Sequence, residues 1–196
     1  VVAGCRGWPS ELCQRGEETF PGWHRGYLLE LERALVQADL ALGNDGDVGL
    51  PYWDWLSIED GGNEVVPKCI RDAFSTLPLG LVPLEEAGNL GTLGFNHLAS
   101  DVEIKSYLMK ANLQSMVASC LSDASHWMLA SRRCRRRSYS LEAVHDQVCL
   151  GCGFPLSDAS YGGFHPLYFL LLCNIDRIYE RYLQLETPEE CRRDFQ

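Results

Sequence analysis

Two histidines and a cysteine hold most of the chemistry this sequence offers. From His24, apolar residues at Leu28, Leu31, Leu35, Ala38 and Leu42 step by four and three, which predicts a helix with His24 at the top of its buried stripe and Gly43 as its stop. Leu141, Val144, His145, Val148 and Cys149 follow the same rule at i, i+3, i+4, i+7 and i+8, which predicts a helix over 140–149 with His145 and Cys149 facing inward one turn apart. Imidazole and thiolate are donors for Zn(II) and Cu(I), so a mononuclear site built from His24, His145 and Cys149 is one reading. A lone histidine on a buried helical stripe is more ordinarily a hydrogen-bonded core residue, and that is the other.

The elements that position these residues are helical. Ser100 and Glu103 have capping-box spacing, with Ile104, Leu108 and Ala111 behind them, and predict a second helix ending before Ser122. Pro166 opens a last helix with a predicted buried stripe of Tyr168, Leu172, Ile175, Tyr179 and Tyr182. Residues 43–99 are punctuated by Gly, Pro and Asn and read as a long loop region. The expected fold is mainly α, a four-helix bundle core with long irregular loops, and the 196 residues are treated as one domain over 1–196.

Four segments raise the specificity of this reading: Phe20-Pro21-Gly22-Trp23-His24-Arg25, Leu50-Pro51-Tyr52-Trp53-Asp54-Trp55, Leu141-Glu142-Ala143-Val144-His145-Asp146 and Cys173-Asn174-Ile175-Asp176-Arg177. In this order they closely resemble the tyrosinase and molluscan haemocyanin family of type-3 copper proteins, over nearly the whole chain. The resemblance implies a helical bundle in which six histidines, three per metal, hold two coppers that bind dioxygen, either to carry it or to oxidise phenols and catechols to quinones.

Position by position, most of those ligands are missing. Where the family places a histidine nine residues before that of Trp-His-Arg, this chain has Arg15, and no histidine precedes His24. The second histidine of the His-x-x-x-His helix is Cys149, and the ligand of the last helix is Leu172. His24 and His145 are left as vestigial ligand positions, one per copper. Leucine has no donor atom and a guanidinium is cationic, so the family's oxidase chemistry is not expected. No cofactor is expected, with residual copper or zinc left open. A collapsed core with Arg15 turned to solvent is the plainer expectation for the emptied site; a cavity for a small apolar, anionic or pigment ligand is the alternative.

Composition bounds the rest. With 17 Lys+Arg against 27 Asp+Glu the formal charge is −10, which argues against nucleic-acid binding. The longest apolar stretch, from Leu167 to Cys173, is too short for a membrane span. Nine cysteines suggest disulfide-tied loops in a secreted, extracellular protein, and the start at Val1 fits either removal of a signal peptide or a fragment of a longer chain. The odd count leaves at least one thiol free, bound to something else, or bonded to another chain, which would be self-association or another extracellular protein. Arg132, Arg133, Arg135, Arg136 and Arg137 form a basic cluster that reads as a solvated loop, a docking patch for an acidic partner or a processing site. The leading expectation is a non-catalytic structural or binding component of an extracellular assembly.

Overall fold

The computed structural model describes residues 15–60, 65–73, 98–122, 140–159 and 161–185. The arginine cluster at Arg132–Arg137, His97 and His126 lie outside them, as do Cys5, Cys13, Cys134 and Cys191. Among the described residues the regular structure is entirely helical: α1 (Phe20–Ala41), α2 (Lys68–Ala73), α3 (Asp101–Lys110), α4 (Leu113–Ser122), α5 (Leu141–Cys152) and α6 (Pro166–Leu185). Helices α5 and α6 lie against each other at the centre; α1 packs on both, and α3 and α4 cover α5.

Local chemistry sets most boundaries. Ser100 accepts from Glu103 N while the Glu103 carboxylate takes the Ser100 N–H, completing the expected capping box of α3. Ser140 caps α5, and Gly153 ends it at a φ of 75° that favours glycine. Pro166 opens α6 as predicted. At the end of α1, Gly43 donates to Leu40 O with φ 87°, a left-handed stop. The predicted second helix is in fact two: Asn112 adopts φ 54°, a conformation asparagine tolerates, and the chain turns there. The stretch read as a long loop also holds α2 and a 3-10 turn over Ser57–Asp60.

The core is lined by Ile104 and Leu108 of α3, Leu141, Val144 and Val148 of α5, and Leu167, Leu171, Ile175 and Ile178 of α6. Gly151 lets α3 close on α5, since a Cβ there would lie 2.8 Å from Tyr107 Cδ1. Trp53 joins the segment before α2 to the bundle: its backbone N–H donates to Leu170 O at 3.0 Å and its indole N–H to Val65 O at 2.8 Å. Across α1 and α6, Arg25 donates to Asp176 at 2.6 Å and pairs with Glu180 at 3.0 Å. The Trp-His-Arg and Asn-x-Asp-Arg segments thus meet as an interhelical clamp.

Two expectations need correction. Of the predicted α1 stripe only His24 and Leu28 are buried, joined by Phe20 and Pro21 before them, whereas Leu35 and Leu42 are 41% and 81% exposed. The hydrophobic period fixed the face, but the neighbouring helices reach only its N-terminal half. The disulfide-tied loops are not found at the described positions Cys69, Cys149, Cys152 and Cys173, which are free thiols. Burial pushes Cys152 and Cys173 up to about 12 and Cys149 well above its ordinary value. Alkylation of the native protein is therefore expected to modify exposed Cys69 first and half-buried Cys173 more slowly, while Cys149 and Cys152 should react only on unfolding. Peptide mapping checks this, and native labelling of Cys149 at a rate like that of Cys69 would contradict the packing.

Candidate functional site

His24 on α1 and His145 on α5 come together as predicted, with ring centroids 6.3 Å apart and each ring almost fully buried. The Phe20 ring lies 4.3 Å from His24 and 5.7 Å from His145, and Tyr168 of α6 is 5.8 Å from His145. The space between the helices thus holds aromatic rings. Leu172 is buried on α6, so the last predicted position supplies volume and no donor atom.

The hydrogen bonds fix both imidazoles. His24 Nδ1 faces Phe20 O at 2.7 Å, and a carbonyl only accepts, so Nδ1 carries the proton. Burial, then His145 and Arg15, lower the His24 pKa to about 3, which keeps the ring neutral. His145 Nδ1 donates to Asp146 Oδ1 at 3.0 Å by the same reasoning. Its Nε2 then accepts from the Cys149 thiol, with Sγ 3.6 Å away. The His145 and Cys149 side chains, one turn apart, are thus in hydrogen-bond contact. His165, for which no role is expected, is also buried; its Nδ1 accepts from Leu167 N at 3.2 Å, and burial followed by the Arg71 charge lowers its pKa to about 4.

Arg15 does not turn to solvent. Its guanidinium pairs with Asp146, and its Nε lies 3.8 Å from Glu142 Oε1. Gly16 N donates to both Glu142 oxygens at 3.0 and 2.9 Å. Burial alone would raise the Asp146 carboxyl, but the His145 hydrogen bond and the Arg15 charge outweigh it and hold it well below the usual carboxylate range. Sequence reasoning missed Glu142 and Asp146. The available signal was Arg15 itself, since an inward guanidinium demands carboxylates and α5 carries two of them one turn apart.

The common central domain of tyrosinase matches residues 3–82 of this chain. The chain is also similar over most of its length to Hemocyanin 2 of Megathura crenulata, with 27% identity over 188 residues, or 92% of the chain. The chain is thus similar to the tyrosinase and haemocyanin family, through the family model in its first part and through the haemocyanins over most of its length. Two further relatives of this family are similar over different extents. The Hemocyanin A-type, units Ode to Odg, of Enteroctopus dofleini is 23% identical over 180 residues, 89% of the chain. A tyrosinase of Streptomyces glaucescens is 54% identical over 37 residues, 19% of the chain and 11% of its own length. The chain spans only 5% of the Megathura protein and 14% of the Enteroctopus protein. No solved structure matches it.

Family members normally bind copper. Among the described residues, no group of three or more His, Cys, Asp and Glu side chains is placed to hold a metal ion. No helix among them is long and apolar enough to cross a membrane. A groove of about 700 Å³ opens elsewhere, between α1 and α6, floored by Leu28, Leu29, Tyr52 and Cys173.

Proposed function

We propose that this chain is a secreted, non-catalytic member of the family, a single domain over 1–196, that has lost the dicopper centre and serves as a structural or binding component of an extracellular assembly. The observation that carries the loss of copper is Arg15. A permanent cation, ion-paired with Asp146, occupies the position to which the family resemblance assigns a ligand imidazole, and this supports the reading. The remaining donors do not fit a copper pair either: His145 turns Nε2 to a thiol, Leu172 has no donor atom, and aromatic rings fill the interhelical space. The residual-metal reading retains His24, His145 and Cys149. The carrier reading is favoured only at the groove between α1 and α6, away from the two histidines. Secretion rests on the count of nine cysteines.

The assembly role is supported by the second half of α1. Leu35 and Leu40 in that half, and Leu42 just past its end, are 41–81% exposed and offer apolar side chains to a partner. Sedimentation of the wild-type chain is expected to show concentration-dependent association, and the Leu35→Glu/Leu42→Glu double variant is expected to be monomeric at the same concentrations with unchanged helicity. A wild type that stays monomeric throughout would count against an assembly made by this chain.

A further inference from the structure

Helix α5 carries a charge problem that the segment before α1 solves. Glu142 is fully buried, and Asp146, one turn further on, is mostly buried beside it. A carboxylate withdrawn from water costs several kcal/mol unless cations or hydrogen-bond donors face it. The donors arrive from more than 120 residues away in sequence: Gly16 N on both Glu142 oxygens, Arg15 Nε 3.8 Å from Glu142, and the end of the Arg15 guanidinium on Asp146. The same Asp146 oxygen accepts from His145 Nδ1, so the guanidinium also fixes the carboxylate that orients the imidazole.

We infer that the Arg15 guanidinium stands in for a metal ion: it supplies, covalently and without exchange, the positive charge that this end of the bundle requires, so that the domain folds complete without metal. The inference rests on the proposed loss of the dicopper centre. A guanidinium keeps its charge at any ordinary pH and offers five N–H donors in a planar fork. It can therefore face two carboxylates together, as a cation coordinated there would. Unlike a metal it cannot be removed by a chelator. The charge then belongs to the chain, and the segment before α1 is tied to α5 wherever the chain is folded.

Thermal melts of the full chain, in EDTA and with added Zn(II), test this. Wild type is expected to melt at the same temperature in both. Arg15→Met should lower the midpoint by roughly 5–10 °C, and Arg15→Lys by less, because an ammonium keeps the charge but not the fork. Arg15→His should be destabilised in EDTA and recover at least half the loss with Zn(II), which Arg15→Met should not. Should Arg15→Met fail to fold, Asp146→Asn and Arg15→Lys read the same pairing with less disruption, and their double variant should lose less than the sum of the two. A wild-type midpoint that falls in EDTA would overturn the lost-centre reading itself. A wild type indifferent to EDTA, together with an unperturbed Arg15→Met or an Arg15→His that Zn(II) does not rescue, would overturn only the surrogate role.

Discussion

Acidification from pH 6.5 to pH 4 is expected to remove most of this protein's stability, well before carboxylate protonation would do so. Two buried imidazoles cause it. His24 is held neutral down to about 3 by burial, the neighbouring His145 and Arg15; His165 is held neutral to about 4 by burial and Arg71. In the unfolded chain both titrate near 6.5. Because the folded pKa values lie below the unfolded one, the unfolded state binds more protons below pH 6.5. Stability is therefore fully present above pH 6.5 and falls as the pH drops toward the folded values.

Each group contributes about 1.4 kcal/mol per pH unit across its window, so the pair removes on the order of 5–7 kcal/mol by pH 4. A typical domain has only about 5–15 kcal/mol to lose. Asp146 acts in the same direction only below its unfolded value of 3.8. Urea unfolding at fixed pH steps measures the slope. A flat profile between pH 6.5 and 4.5 would show that the two rings are solvated rather than buried.

Replacement of Phe20 by Ala is expected to be the most damaging single core substitution near the histidines. Phe20 is fully buried at the first position of α1, and its ring contacts both imidazoles. Its backbone carbonyl, which receives the His24 Nδ1 proton, survives the change. The loss is therefore one of packing: about 3–5 kcal/mol for a buried Phe→Ala, or roughly 10 °C in the melting midpoint. The cavity would lie against His24. Water entering it would relieve the burial that depresses this imidazole, so the acid transition of Phe20→Ala should become shallower near pH 5. Calorimetry and the pH series check the two effects together. A variant as stable as wild type would mean that the space between the histidines is already open.

Local signals made much of this legible. The Ser100–Glu103 box, Pro166 and Gly43 mark helix ends because caps act over three or four residues. His24, His145 and Cys149 face inward as their spacing requires. Other features depended on contacts no local pattern carries. The turn at Asn112 lacks the usual Gly or Pro breaker, so α3 and α4 read as one helix. Leu35 and Leu42 continue the stripe of Leu28 but have no helix beside them, because period specifies a face and tertiary neighbours decide burial. The direction of Arg15 was likewise set by Asp146, 131 residues away. The residue types of Arg15, Cys149 and Leu172 were visible one by one; the ion-paired cluster around Arg15 was not.

Metal content measured on the purified full chain, before and after incubation with Cu(I) under nitrogen and then oxygen, tests the central claim most directly. The account predicts sub-stoichiometric copper and zinc throughout, with no oxygen- or peroxide-dependent absorption band. Two coppers per chain with such a band would contradict it, whatever the residues at positions 15, 149 and 172.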